Sequence, residues 1–397
     1  MEAKRKSERN SNIEVLRLVA MGLIVLNHLQ WGEMHYIDTN WSYIHRMGIS
    51  QIVTFLSNWG GVGDCLFFGI SAWFLCTERQ SIRKNIGRCW QLEKQLWFWS
   101  ILTCGSFIVV RYVQGQADVE LAAYWSARAL LPFSTNLWWY PTSYMLFLLI
   151  APLLTQGLGY LSKRQHGAIC MALIAMYAFL PSRFFPMDMK YSIVLFIYLY
   201  IIISFFRWHL PELCKSRKFA RDLLAVGLIF GISTQFVVQC FFPNNGYLHY
   251  FWLNTPRCLP SICISIALLI FVTTAHSRVS KAVNWLAAST LSVYLVVTTP
   301  VGEMVLRTFA KAVHPGVGGI VFNLLMAVIV YLGVLMMDVL RHAVFSKTVD
   351  LNELDQLEWI WGYLLRAHDI IASRFRVYVG HVLCLSESSD RSSDSKE

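Results

Sequence analysis

Two ionisable residues on one face of a predicted helix are the first sign of chemistry in this chain. Arg17 and His28 lie close to three helical turns apart, about 16 Å along the axis, so a helix over residues 13–31 aligns them. Glu14 precedes Arg17 by three residues, a spacing at which a carboxylate and a guanidinium can pair. Arginine binds anions through paired hydrogen bonds, and histidine exchanges a proton near neutral pH. The spacing therefore predicts an anion-holding end and a proton-handling end on one helix.

The composition indicates that this helix crosses a membrane. Of the 397 residues, 56% are hydrophobic and 15% are charged, whereas soluble domains carry about 25% charged residues. Residues 13–31 are long enough for a bilayer, which takes ~20 residues. The net charge of +10 is concentrated between apolar segments, so a lipid bilayer accounts for it and nucleic acid is not needed. Placement at the membrane interface remains an alternative explanation for Glu14, Arg17 and His28.

The predicted fold class is all-α: a polytopic membrane helix bundle of about ten transmembrane helices. The segments after the first fall at residues 52–76, 95–113, 137–158, 166–180, 191–206, 223–242, 259–274, 283–301 and 319–340. With a cytoplasmic N-terminus, the loops on that side hold more than twice as many Lys and Arg residues as the opposite loops. This bias predicts that both termini are cytoplasmic.

Four regions follow from this reading. Residues 1–12 form a basic cytoplasmic N-terminus, residues 13–341 the membrane domain, residues 342–384 a cytoplasmic amphipathic helix region, and residues 385–397 a disordered tail. We expect residues 78–94 to form a basic loop. The first helix should end near Gly32, which would take His35 off the face that carries His28.

Other polar and aromatic residues are weaker candidates. Asp64, in the glycine-rich second segment, is suited to orient His28 or to accept a hydrogen bond from a substrate hydroxyl, but an inter-helix polar contact explains it equally well. Trp138, Trp139 and Tyr144 are suited to stack on a sugar or to form an aromatic belt at the interface. The ten cysteines show no metal-ligand spacing, so we expect no metal site and no disulfide framework.

Several stretches carry a family resemblance. IEVLRLVAMGLIVLNH, with Glu14, Arg17 and His28, resembles the opening helix of membrane-bound acyltransferase family 3. Three more stretches are similar to later motifs of the family: GVGDCLFFGISAWFL, NLWWYPTSYMLFLLIAPLL and TLSVYLVVTTP. Two features depart from the family pattern. The ninth segment reads Tyr-Leu-Val-Val from Tyr294 to Val297 where the family often ends in histidine, and the arginine spacing before the third helix is irregular.

The resemblance implies transfer of an acyl group, usually acetyl from cytoplasmic acetyl-CoA, to a hydroxyl of a carbohydrate or cell-envelope glycan. His28 would be the general base or a transient acyl carrier, and the pair of Glu14 and Arg17 would position the donor. The basic residues before the third helix would attract the phosphates of CoA, although membrane topology also explains them: Arg83, Lys84 and Arg88. Asp64, Trp138, Trp139 and Tyr144 would bind the acceptor.

No bound cofactor is expected, and the expected location is a bacterial plasma membrane. A second class of function stays open, since the intramembrane ionisable residues also suit a transporter or flippase for a glycan or small metabolite. A non-catalytic scaffold or sensor is the third interpretation, and it requires the polar face of the first helix to tolerate apolar replacement. The sequence leaves the existence of a partner protein undecided.

Overall fold

A computed structural model describes residues 10–40, 58–179, 192–241, 253–311 and 317–346, together with residues 362, 366, 370 and 373. These residues form thirteen α-helices and a 3-10 turn at Leu213–Lys215, with no β-strand among them, which confirms the all-α prediction. The helices are α1 Ser11–Asn40, α2 Gly60–Leu75, α3 Ile82–Val113, α4 Val119–Leu130, α5 Trp139–Gly159, α6 Lys163–Tyr177, α7 Ile193–His209, α8 Arg217–Phe241, α9 Leu259–Thr273, α10 Lys281–Ala288, α11 Thr290–Val297, α12 Pro300–Lys311 and α13 Val317–Phe345.

Several helices are long and apolar enough to cross a bilayer. In the described residues four meet both conditions, over Ile82–Val113, Trp139–Gly159, Arg217–Val238 and Leu324–Phe345. A fifth span is possible where Lys281–Val297 and Pro300–Leu306 join at a bend of 85°. Three shorter helices, α2, α7 and α9, are also apolar. An integral membrane protein follows from this composition, while the count of ten spans and the side of each terminus stay predictions.

The first helix packs in the interior of the bundle. It contacts α2, α9, α10, α11, α12 and α13. Leu16, Ala20 and Ile24 recur every four residues and are all buried, so they form one apolar stripe along the helix. The first helix therefore packs along this stripe against several other helices, and Glu14 is buried with it.

The expected end of the first helix near Gly32 is wrong. The backbone of α1 remains helical to Asn40, so His35 lies on the same helix as His28. A glycine inside a helix costs only about 1 kcal/mol relative to alanine, and a long helix tolerates that cost.

The expected basic loop before the third segment is largely helical. Helix α3 begins at Ile82, where the Ser81 hydroxyl accepts a hydrogen bond from the backbone N–H of Lys84 at 3.2 Å. This capping contact satisfies a backbone donor at the helix start. The basic residues of this stretch therefore occupy the first turns of a helix. An additional helix, α4, follows α3 and packs against it, and the Ser100 hydroxyl on α3 donates to the carbonyl of Ala129 at 2.6 Å.

The predicted ninth segment is broken into three helices. Helix α10 ends at Ala288, α11 ends at Val297, and α12 begins at Pro300. The turn into α12 requires a glycine, because a Cβ atom on Gly302 would lie 2.1 Å from the carbonyl oxygen of Val296. The Thr299 hydroxyl accepts from the Gly302 N–H at 3.3 Å and so caps α12. A continuous apolar run concealed this break in the sequence.

The chain divides into two units, Met1–Asp350 and Leu351–Glu397. Most of the second unit, and with it most of the predicted amphipathic helix and tail, lies outside the described residues. The four residues of it that are described are all helical, and the Arg366 side chain donates to the carbonyl of Gly362 at 3.1 Å.

Candidate functional site

The acidic and basic residues at the start of α1 form an ion pair. Arg17 Nη1 donates to Glu14 Oε2 at 2.5 Å, and the Glu14 side chain is 6% exposed against 26% for Arg17. Glu14 lies in the first turn of α1, where the helix dipole stabilises a carboxylate. Within the part of the chain that the structure describes, this is the one hydrogen bond of the Arg17 side chain. A guanidinium has five N–H donors, so Arg17 has donors that no described residue other than Glu14 uses.

His28 lies half-buried on the same face of α1, about 16 Å from Arg17 along the axis. Helix α2 crosses α1 at this end with little space between them. A Cβ atom on Gly60 would lie 2.5 Å from Asn27 Cγ, and one on Gly63 would lie 2.7 Å from the backbone oxygen of Ala20. The glycines therefore permit the close approach of the two helices.

Asp64 lies near this crossing, and the tyrosines of α5 lie near charged residues of α1 and α2. Asp64 follows Gly63 on α2 and is half-buried. The charges of Asp64 and Arg17 both lie within electrostatic range of the Tyr140 hydroxyl. One helical turn along α5, the Tyr144 hydroxyl forms a hydrogen bond with Ser71 of α2. The charges of Asp64 and Arg17 thus act on Tyr140, and that of Arg17 also acts on Tyr144, while the roles of Asp64 and Tyr144 in substrate binding stay predictions.

Two members of this region escaped the sequence analysis. Tyr140 and Ser71 were not proposed, although Tyr140 precedes Tyr144 by four residues and therefore shares its helix face. That spacing could have identified Tyr140 as a neighbour of Tyr144 on the same helix face. The hydrogen bond of Ser71 depends on how α2 packs against α5, which no local pattern records.

The two tryptophans before Tyr140 lie in different surroundings. Trp138 is 1% exposed, and its indole N–H donates to the carbonyl of Leu295 on α11 at 3.0 Å. Trp139 is half-buried, with its ring 5.4 Å from that of Tyr140 and 6.1 Å from that of Phe196. Trp138 therefore holds the broken helix in place from inside the bundle, and its predicted contact with a sugar has no support in this geometry.

The predicted donor-binding residues of α3 divide into two groups. Arg88 Nη2 donates to Glu78 Oε2 at 2.7 Å, and the charge of Arg88 acts on the Tyr144 hydroxyl, as that of Arg17 does. Lys84 also pairs with Glu78, but its side chain is 50% exposed. Arg83 is exposed as well. The structure thus brings Arg88 towards the Arg17 end of the site and leaves Arg83 and Lys84 at the protein surface.

A buried asparagine fixes the position of Arg88. Asn85 is 0% exposed, and its side-chain amide donates to the carbonyl of Leu148 on α5 at 2.8 Å. Its oxygen accepts from Arg88 Nη1 at 3.0 Å. The guanidinium is therefore held between Asn85 and Glu78 and has little freedom to reorient.

Helix α11 carries the position at which the family often has a second histidine. The residue at that position, Val297, is 1% exposed and packs in the core. Tyr294, one turn earlier, places its ring 6.0 Å from that of Tyr140. The Gln95 side chain of α3 donates to the Ser292 hydroxyl at 2.8 Å. Packing and side-chain hydrogen bonds thus hold α11 in place. Because position 297 is a valine, α11 supplies no second histidine there to assist His28.

Comparison with known proteins gives the family of the chain. The family model for the acyltransferase 3 domain, described as an acyltransferase domain, matches residues 10–339. The chain therefore belongs to acyltransferase family 3, and the protein is a membrane acyltransferase. This result favours the enzyme over the transporter that the sequence left open. Searches of curated proteins and of solved structures found no match.

Proposed function

We propose that the protein transfers an acetyl group from cytoplasmic acetyl-CoA to a hydroxyl of a surface polysaccharide or lipid-linked glycan, in a bacterial plasma membrane. One observation carries the proposal: α1 holds Arg17, whose side chain bonds only Glu14 among the described residues, and His28 three turns away on the same face. The distance of about 16 Å suits an extended thiol arm that enters from the Arg17 end. An acceptor would approach from the His28 end.

Each residue has a defined task in this reaction. The acceptor oxygen attacks the thioester carbonyl carbon while His28 removes its proton, and a C–O bond forms. When the tetrahedral intermediate collapses, the C–S bond breaks and the thiolate of CoA takes the proton back from His28. Arg17 holds a phosphate or carbonyl oxygen of the donor, and Glu14 fixes the guanidinium orientation. Asp64 and Trp139 contact the acceptor, Tyr144 contacts the donor beside Arg17, and Arg88 adds positive charge there.

The test is incorporation of label from radiolabelled acetyl-CoA into the glycan fraction of membranes. His28→Ala should lower incorporation by about 10²–10⁴-fold, the usual contribution of a general base. His342→Ala is the matched control, because His342 is exposed on α13 and lies outside the site. Both variants need equal expression and equal thermal unfolding midpoints in detergent.

Incorporation that survives His28→Ala would overturn the role of His28. A longer acyl-CoA offered in parallel tests the acetyl preference, since better incorporation from it would replace acetyl as the transferred group.

A further inference from the structure

Three buried polar atoms near the start of α5 have no hydrogen-bond partner among the described residues. They are Glu93 Oε2 and Trp90 Nε1 on α3 and Thr142 Oγ1 on α5. The carboxyl group of Glu93 accepts a hydrogen bond from the backbone N–H of Phe133, in the loop before α5, so its position is fixed from one side. Buried polar groups are almost always hydrogen-bonded, so these exceptions require an explanation.

The packing of α3 against α5 brings Glu93 and Thr142 together. The two helices are antiparallel here, and two side-chain hydrogen bonds set their register: Asn85 donates to the Leu148 carbonyl at 2.8 Å, and Cys89 donates to the Met145 carbonyl at 3.6 Å. A step of four residues forward on α3 therefore corresponds to a step of three residues back on α5. The next such step leads to Glu93 on α3 and to Thr142 on α5. The carboxyl group and the hydroxyl therefore belong to the same level of the contact between the two helices.

Two tryptophans flank Glu93 along α3. Trp90 precedes it by three residues and Trp97 follows it by four, so both are its neighbours on the helix surface. Their ring centroids are 5.7 Å apart, and the ring planes are close to perpendicular at 86°. The Trp97 indole N–H donates to the carbonyl of Leu130 at 3.0 Å, whereas that of Trp90 has no partner in the described part of the chain. Aromatic rings and unpaired polar atoms thus occur together at this point.

The combination of these groups matches a ligand that carries several hydroxyl groups. An ionised carboxyl group only accepts hydrogen bonds, an indole N–H only donates, and a threonine hydroxyl does both. A hydroxyl group can pair with each of them, and an indole ring offers an apolar face to the C–H groups of a sugar. A carboxylate disfavours the phosphates of CoA, since like charges repel. The chemistry therefore fits the glycan acceptor better than the donor.

The position of these groups also suits the acceptor. Glu93 lies five residues beyond Arg88 on α3, about 7.5 Å along the axis and away from the donor side. Thr142 stands in the first turn of α5. The predicted topology puts this end of α5 outside the cytoplasm, on the side from which the acceptor comes.

We propose that Glu93, Thr142 and Trp90 form a subsite that binds one sugar residue of the acceptor glycan through its hydroxyl groups, a proposal that rests on the proposed acyl transfer. Glu93 Oε2 accepts from one hydroxyl, the Trp90 indole N–H donates to a sugar oxygen, and Thr142 bonds to a neighbouring hydroxyl. All three atoms are buried, so the sugar binds together with a rearrangement of the half-buried indoles of Trp90 and Trp97. A site that bonds substrate hydroxyls rejects analogues without them, so this subsite contributes to the choice of acceptor.

Glu93→Gln tests the carboxyl group at nearly constant size. The probe is membrane glycan from which mild alkali has removed the O-acetyl groups, offered over a range of concentrations together with acetyl-CoA. KM for this glycan should rise about 10- to 100-fold, the usual effect of losing a hydrogen bond to a charged group, while KM for acetyl-CoA stays native. The thermal unfolding midpoint should not fall, because glutamine keeps an oxygen for the Phe133 N–H.

Two threonine variants form a matched pair. Thr142→Val removes a hydroxyl without a described partner and should raise KM for the glycan about 3- to 10-fold, with an unfolding midpoint at or above the native value. Thr103→Val removes a buried hydroxyl on α3 that donates to the Trp99 carbonyl at 2.7 Å, and it should leave both KM values unchanged. A purely structural effect of losing a buried hydroxyl predicts that the two variants behave alike.

A native KM for the glycan in either folded variant, Glu93→Gln or Thr142→Val, would overturn the subsite and leave the proposed acyl transfer standing. If Glu93→Gln does not fold, Thr142→Val decides alone. An equal rise in KM for acetyl-CoA, or activity that falls in step with the unfolding midpoint, would show a structural role and overturn the subsite as well. Absence of transfer by the native protein would overturn the acyl transfer and the subsite together.

Discussion

Two ion pairs with the same spacing lie in different parts of this protein. In each an acidic residue precedes an arginine by three positions on a helix: Glu14 and Arg17 on α1, and Asp338 and Arg341 on α13. The first pair has an N–O distance of 2.5 Å and the second 2.7 Å. The exposed fraction of the arginine differs, however: 26% for Arg17 against 8% for Arg341.

The surroundings of the two ion pairs also differ. Asp338 Oδ1 accepts hydrogen bonds from Arg341 Nε and from the indole N–H of Trp99, and the Arg341 guanidinium lies 5.8 Å from the ring centroid of Phe98. These contacts tie α13 to α3. Arg17 by contrast donates to Glu14 alone among the described residues, and its charge acts on two tyrosines of α5, Tyr140 and Tyr144. We call Asp338 and Arg341 the saturated pair, because both also contact α3, and we expect it to stabilise the packing. Arg17 keeps donors that no described residue uses, so we expect its pair to bind the substrate.

The largest effect that this comparison predicts is on stability, at the saturated pair. Asp338→Ala leaves the Arg341 charge buried without its carboxylate, so the free energy of unfolding should fall by roughly 3–5 kcal/mol. The measurement is a denaturant or thermal unfolding curve in detergent. Acetyl transfer per folded molecule should stay close to native.

The control for that loss removes both charges. Asp338→Leu combined with Arg341→Met should recover most of the lost stability, because apolar residues can replace a buried ion pair at little cost. If the double variant is as unstable as Asp338→Ala, the cost does not come from an unpaired charge. A loss of catalysis in the stable double variant would show that the two pairs do not divide their tasks as described.

The next effect is on donor binding, at the pair with unused donors. Arg17→Lys keeps the positive charge for Glu14 but loses the planar fork, so KM for acetyl-CoA should rise about 10- to 100-fold with a small change in stability. Initial rates over a range of acetyl-CoA concentrations measure it. Arg341→Lys is the matched substitution on α13 and should instead lower stability and leave KM unchanged. The reverse pattern would refute the assignment of Arg17 to the donor.

The polar face of α1 was predictable because it is local. Glu14, Arg17 and His28 stand on one regular helix, so their spacing alone gives their mutual geometry. The break after Val297 was not predictable from the same rules, since it depends on a Gly302 turn and on the indole of Trp138, a residue distant in sequence. The hydrogen bonds of Asp338 were not predictable for the same reason. Asp338 stands at the end of an apolar segment, as a charge at the membrane interface would, and only its hydrogen bond from Trp99 shows that it is part of the packing.

The smallest effect concerns the basic residues that the sequence assigned to the donor. Lys84 is half-exposed and already pairs with Glu78, and an exposed ion pair is worth about 0–1 kcal/mol. Lys84→Met should therefore change KM for acetyl-CoA by no more than about twofold, with the difference vanishing as salt screens the surface charge.

Arg88→Met is the comparison: Arg88 is held by Asn85 and acts on Tyr144, so its loss should raise KM more, and high salt should not remove the increase. Equal, salt-sensitive effects of the two substitutions would mean that α3 only attracts the donor through its overall charge. Unequal effects would extend the distinction between the two ion pairs to α3. Arg88, held by Asn85, would then bind the donor, and the more exposed Lys84 would serve only to keep this end of the helix on the cytoplasmic side.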